Sequence, residues 1–245
     1  MKTRILLISD IHGNYPALRA IETSFAAISF DRIINCGDSL VYAPFPNETL
    51  DWLQQHEALS ILGNTDKKVI KLLKGKTFKK PSKHEKRIMY ESTAAVLSDQ
   101  NRSYIQGLEN LTSLTIPTGK KKKVTIGIFH GSPTAPHEFL FETTEDKRFE
   151  ELAADCQMDI VVTGHSHTPY HKHIGGIHFI NPGSVGRMFD GNSDVSCAIM
   201  EISSETISVQ HLRIPYDVDA VTSAIAEHNL PAIYGLMYKK GQKLN

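Results

Sequence analysis

Arg4-Ile5-Leu6-Leu7-Ile8-Ser9-Asp10-Ile11-His12-Gly13-Asn14 opens the chain as a short apolar run ending on an acid, an imidazole and a glycine. A run of that length bounded by a polar turn predicts a buried strand over residues 4–9. Its basic start resembles a leader, but it stops at an aspartate with no small-residue cleavage site, so it reads as a strand. Pro16 suits an early helical position. Leu18, Ile21, Phe25 and Ile28 recur at helical spacing, which predicts a helix over 16–27. The order then repeats. A strand over 32–35 ends at Gly37-Asp38, a Pro-rich loop and a helix over 48–55 follow, and a strand over 58–62 ends at Gly63-Asn64. This β-α-β-α-β order predicts an α/β fold with parallel strands.

The whole chain has 245 residues, 40% hydrophobic and 22% charged, which excludes a disordered or disulfide-dense chain. No apolar run approaches the ~18–20 residues a membrane span needs. Cys36, Cys156 and Cys197 are odd in number and widely spaced, as expected in a reducing compartment, so the expected location is the cytoplasm, away from membranes. Net charge is zero, yet residues 67–123 carry 15 Lys/Arg against 4 Asp/Glu, a basic segment on an acidic body. Such a run reads either as a solvated helical face or as a rim that attracts anions. Residues 67–110, Lys-rich and then helical over 85–97 and 101–108, are expected to form a helical cap insert within one domain spanning 1–245. Beyond it, strands over 111–117 and 124–129 form a hairpin around a lysine turn. A helix over 144–154, a strand over 159–163, a hairpin across Gly175-Gly176 and strands over 195–202 and 206–212 follow. A C-terminal helix and polar tail occupy about 216–245.

Chemistry-bearing side chains fall just after the predicted strands: Asp10 and His12, Asp38, Asn64, His130, then His165 and His167. In α/β sheets, sites gather outside the carboxyl ends of strands. Five strand ends thus bring seven N/O donors to one edge. Seven are too many for one tetrahedral zinc with an open position. They suit two metals sharing a carboxylate, drawn from Mn, Fe, Zn, Ni or Co. Cys36, two residues before Asp38, reads as a buried strand cysteine.

Taken together, Asp10-Ile11-His12-Gly13-Asn14, Gly37-Asp38, Gly63-Asn64, His130-Gly131 and Gly164-His165-Ser166-His167-Thr168-Pro169 resemble the motif set of the calcineurin-like metallophosphoesterases. His130-Gly131-Ser132-Pro133 and Asn181-Pro182-Gly183-Ser184-Val185-Gly186 resemble a compact bacterial and archaeal branch related to diadenosine-tetraphosphatase-type phosphoesterases. The resemblance spans about residues 4–215. It implies a four-layer αββα sandwich of two mixed sheets flanked by helices. It also implies one metal on Asp10, His12 and His167, a second on Asn64, His130 and His165, and Asp38 bridging both. A hydroxide between the metals would attack phosphorus in line, on a small phosphomonoester, phosphodiester or nucleotide. Asp38, Asn64 and His130 would act in catalysis through metal and phosphate binding.

The chain departs from the family in one place. Many members have Gly-Asn-His-Asp/Glu, whereas here Thr65 follows Asn64, and threonine is no acid at neutral pH. Asp66 is left as a structural carboxylate or a general acid. Candidate substrate contacts are Asn14, Arg187 and Tyr42, with His137 a weaker one; Asn14 reads equally as a brace of the first loop, and Arg187 as a phosphate clamp or a surface ion pair. Asn181 and Ser184 are expected to shape their loop, and His171, His173 and His178 to sit on a strand surface. A nuclease or cyclic-nucleotide phosphodiesterase is the alternative enzyme. Nucleic acid is compatible with the basic segment but not favoured, because only Phe78 and Tyr90 lie in or near it for stacking. A non-catalytic protein-binding scaffold on the same fold is the alternative of another class. The intact donor set argues against it. Lys67, Lys68 and Lys71 are expected on a positive wall of the cleft.

Overall fold

The computed structural model describes residues 2–77, 79–119 and 122–244. Phe78 and the centre of the lysine turn, Lys120-Lys121, lie outside the described residues. Two five-stranded sheets face each other. In the first, β1 (Thr3–Ile8) lies centrally, parallel to β2 (Arg32–Asn35) and antiparallel to β9 (Val195–Ile202). β3 (Leu59–Ser60) and β10 (Ile207–Ile214) complete its edges. The second runs in the order β4 (Leu111–Pro117), β5 (Lys123–Phe129), β6 (Ile160–Val162), β8 (Ile177–Asn181), β7 (Tyr170–Ile174). Parallel pairs at β5–β6–β8 and antiparallel outer pairs make this sheet mixed as well.

Period-two alternation divides the core into three apolar layers. Ile5 and Leu7 of β1 point between the sheets, where they meet Ile34, Cys36, Ile126, Ile128, Ile160 and Met200. Leu6 and Ile8 point the other way, onto α1 (Tyr15–Ser24), α2 (Pro46–Gln55), α7 (Val218–Glu227) and α8 (Ala232–Lys240). On the far side, Val161 and Phe179 pack on Phe149 and Leu152 of α6 (Asp146–Asp155). Helices, sheet, sheet, helix make the four-layer αββα sandwich. Cys36 is fully buried between the sheets, and all three cysteines are free.

Two helices depart from the sequence expectation. The Lys-rich stretch begins with α3 (Asn64–Leu73), ahead of α4 (His84–Val96) and α5 (Asp99–Gly107). Val69 and Ile70 anchor α3 to the core between the lysines, and the Asp66 carboxylate accepts the Gly63 N–H at its start. The terminal segment is not simply a polar tail. Tyr234, Met237 and Tyr238 share one face of α8 and are buried. β3 is shorter than expected, two residues against five. Among the described residues no helix is long and apolar enough to cross a membrane.

Candidate metal centre

The loops after β1, β2, β5 and β6 meet at one edge of the sandwich. Backbone bonds lock them to each other: Asp10 N–H to Gly37 O at 2.9 Å, His12 N–H to Asp38 O at 2.9 Å, Gly164 N–H to His130 O at 3.0 Å and Gly186 N–H to Asp10 O at 3.1 Å. These bonds hold strain. Asp10, His12, Asp38, His165 and His167 all have φ between 51° and 66°. That left-handed conformation costs a non-glycine residue about 1–2 kcal/mol, and it persists where surrounding structure over-determines it. Close packing sets the positions further. A Cβ on Gly63 would lie 2.0 Å from Asp38 Oδ1, and one on Gly164 would lie 2.0 Å from Ser9 Oγ and 2.8 Å from Asp10 Oδ2.

Two donor sets result, each with its ligand atoms within 4.8 Å of one another: Asp10, His12 and His167, and Asp38, His130 and His165. In the first, Nε2 of His12 and Nε2 of His167 are 3.1 Å apart, and Asp10 Oδ1 is 3.3 Å from the latter. In the second, His130 Nε2 lies 3.2 Å from Asn64 Oδ1 and 3.5 Å from Asp38 Oδ1. The Asp10 carboxylate links the sets, because its Oδ2 accepts the His165 N–H at 2.9 Å.

Hydrogen bonds outside the sets decide what the sets can hold. His130 Nδ1 faces Cys36 O at 2.9 Å, His167 Nδ1 faces Arg187 O at 2.5 Å and His12 Nδ1 faces Leu40 O at 3.4 Å. Each carbonyl favours the proton on Nδ1 and leaves the Nε2 lone pair aimed inward, the arrangement that orients metal-binding histidines. Two such lone pairs converge at His12 and His167, beside a buried Asp10 Oδ1 that has no hydrogen-bond partner. A fully buried acceptor without a donor is costly, and a cation would satisfy all three atoms. The donor set therefore fits divalent metals. Electrostatics agree at His12, His165 and the two carboxylates, whereas His130 holds a second proton that a metal would have to displace. Burial, then the neighbouring His167, pushes His12 down to about 3. Burial and His130 push His165 down to about 4, so both rings are neutral near pH 7. Burial raises Asp10, but His167 outweighs it and the carboxyl falls to about 2. Asp38 likewise falls far below the carboxylate range, with burial outweighed by His130, which it holds up to about 9 against burial.

A cleft of about 450 Å³ opens over both sets, with His12, Asp38, Asn64, His165 and His167 in its floor. Phe139 stacks on His165 at 4.0 Å and Phe189 on His167 at 4.7 Å, bracing both rings. Tyr42 and Arg187 line the cleft, and the Arg187 guanidinium lies 3.8 Å over the Tyr42 ring. Lys68, Lys86 and Lys243 line it too.

Two sequence candidates stand elsewhere. Asn14 is fully buried, and its amide caps α1 through Ala17 N–H and donates to Gly186 O, so both ends serve the scaffold rather than substrate. Asp66 is also fully buried, behind the donor loops. Its oxygens accept from Gly63, Leu40 and Ser39 N–H, which braces the Asp38 loop against α3 and keeps it out of the cleft. Its carboxyl rises to about 7 through burial and then Asp38. Asn181 and Ser184 tie loops together, to Gly164 O and Asp10 O. His171, His173 and His178 stack with one another on the β7–β8 hairpin. His137 lines an adjoining groove. Phe139, Phe189 and Lys243 carried no sequence signal, sitting in segments without periodicity or motif, and Lys86 was marked only as one charge of the basic segment.

A family model described as the calcineurin-like phosphoesterase superfamily domain matches residues 3–205. Over 252 residues the chain is 28% identical to the Methanocaldococcus jannaschii protein MJ0912, covering 96% of this chain and 97% of that one. The metallophosphoesterase from Sphaerobacter thermophilus shares the fold with a TM-score of 0.76 at 23% identity, covering 98% of this chain and 99% of its own. Pyrococcus horikoshii PH1004 does so with a TM-score of 0.84 at 17% identity and the same coverage.

Proposed function

The chain belongs to the calcineurin-like phosphoesterase superfamily, and from that premise we propose that it is a hydrolase with two metals, acting on a small phosphomonoester, phosphodiester or nucleotide. One observation carries the reading: two three-residue donor sets share one cleft, with an orphaned carboxylate oxygen and converging imidazole lone pairs in one of them. Asp10, His12 and His167 would hold one cation. Asn64, His130 and His165 would hold the other, with Asp38 between them. Bound there, divalent cations supply Lewis-acid activation of water and neutralise charge on the attacked group. The chain's own residues do the remaining work. Arg187 and Lys68 offer cationic donors to phosphoryl oxygens. Phe139 and Phe189 hold the imidazoles in place. The helical segment over 67–110 forms the basic wall of the cleft as an insert within one domain.

The test is hydrolysis of p-nitrophenyl phosphate and bis-p-nitrophenyl phosphate by metal-stripped protein, with Mn, Fe, Zn, Ni or Co restored singly. Turnover that needs metal and is lost in Asp38→Asn and His130→Ala supports the reading. The ratio of the two substrates separates monoesterase from diesterase. No turnover by folded protein with any metal counts against it and favours a binding scaffold.

A further inference from the structure

Four histidines gather at a second place, on the open side of the sandwich. β7 is an edge strand of one sheet and β10 an edge strand of the other. On β7, Tyr170 packs into the α6 layer, so His171 and His173 point the other way, toward the facing sheet. On β8, Phe179 packs into the α6 layer and Ile180 between the sheets, which puts His178 on the same face as His171 and His173. His173 and His178 are direct cross-strand partners. From the other sheet, Val209 of β10 packs between the sheets, and His211, two residues on, shares its face. Alternation along three strands thus brings four imidazoles to one edge of the inner apolar layer. None of them lines the cleft over the donor sets.

The rings are in contact. His171 Nε2 and His178 Nδ1 lie 2.9 Å apart, and the His173 ring stacks on that of His178 at 4.2 Å. His211 Nε2 faces Asn181 O at 2.8 Å, which favours the proton on Nε2 and leaves the Nδ1 lone pair for a ligand. Protons do not compete for these nitrogens. Burial, then His173 and His171, pushes His178 down to about 4. Burial, then His211 and His173, lowers His171, and burial lowers His211, so these three rings are neutral near pH 7. Uncharged nitrogen donors select a cation by its chemistry. Imidazole suits Zn, Cu and Ni, whereas Mn prefers oxygen ligands and stands at the weak end of the affinity order.

We infer that His171 and His178, with His173 beside them and His211 from the facing sheet, form a further metal site, for a late first-row divalent ion such as Zn. The His171–His178 pair supplies the first two nitrogens. The proton between those two nitrogens moves to the far nitrogen of its own ring, so binding releases none. His173 is exposed, and its ring turns about χ1 and χ2 on fast timescales. Glu142 acts electrostatically on His211 and offsets part of the added charge. Bound there, the ion links two edge strands that belong to different sheets. This site goes beyond the phosphoesterase reading and does not depend on it.

Counting ions tests it. Metal-stripped protein is titrated with Zn and, separately, with Mn by calorimetry, with elemental analysis after desalting. The His171→Gln/His178→Gln variant is expected to bind one Zn fewer than the parent and as many Mn. His171→Gln alone changes an exposed position on an edge strand, which guards against misfolding, and it weakens the extra Zn by at least about tenfold. His211→Gln weakens it too, and no change there overturns the link between the sheets. Equal Zn equivalents in the parent and the double variant overturn the inference, since the ions then sit elsewhere. Loss of Mn together with Zn in His171→Gln overturns it as well, by tracing the effect to the donor sets. Absence of phosphate-ester hydrolysis counts against the phosphoesterase reading alone, because the readout here is stoichiometry and not turnover.

Discussion

Replacing Asp66 by alanine should damage the fold of the donor loops rather than the chemistry. The carboxylate accepts Gly63 N–H at 2.9 Å, Leu40 N–H at 3.0 Å and Ser39 N–H at 3.3 Å, all buried. Each donor left without an acceptor costs about 1–3 kcal/mol. The low end applies, because burial and Asp38 hold the carboxyl up at about 7 and removing it relieves a desolvated charge. The loss is about 3–4 kcal/mol. For a chain of this size an unfolding entropy of ~2.1 cal/mol/K per residue turns that into a fall in Tm of about 6–8 °C. Linkage adds a sign. The folded-state value lies above the unfolded 3.8, so the stability that protonation contributes is full below that value and fades as pH rises through about 7. The deficit of the variant is therefore larger at pH 5 than at pH 8. Thermal melts of chelator-treated protein at both pH values, with p-nitrophenyl phosphate kinetics alongside, make the test. A variant melting within about 2 °C of the parent while losing most of kcat would refute the reasoning and restore Asp66 as a general acid.

Gly164→Ala places a Cβ 2.0 Å from Ser9 Oγ and 2.8 Å from Asp10 Oδ2. Elemental analysis should find one metal fewer per chain, with a stability loss of about 1–3 kcal/mol in denaturant melts. Lys86 titrates at about 8 because burial, then Lys243, Arg187, Lys83 and Lys68, disfavour its charge. It is charged below that pH and neutral above, so KM for an anionic substrate rises as pH passes through about 8, and Lys86→Arg flattens the profile.

The strand ends were legible because each carries its chemistry next to a glycine, and because a short apolar run such as Ile5-Leu6-Leu7-Ile8 reads as a strand buried on both faces, as its split between two apolar layers bears out. The same physics hid α3. Its apolar positions, Val69, Ile70, Leu72 and Leu73, are interleaved with lysines that also read as a solvated run. Helix α8 was hidden because Gly235 interrupts it and its apolar residues mark no single stripe in sequence, although Tyr234, Met237 and Tyr238 bury one side. Within the site, the donors followed from spacing, but the roles of their neighbours did not. Asn14 and Asp66 each sit two residues from a donor, yet both turn into the scaffold. Phe139 and Phe189 reach the imidazoles from loops with no periodic pattern. Direction of a side chain off an irregular loop is a tertiary property, so no local signal announces it.

The account rests on two cations sharing one cleft. Metal-stripped protein titrated with Mn by calorimetry, with elemental analysis of the product, tests that directly. Two equivalents per chain are expected, falling to one in His12→Ala and one in His130→Ala. Binding of fewer than two by the parent, or two by both variants, would contradict the account.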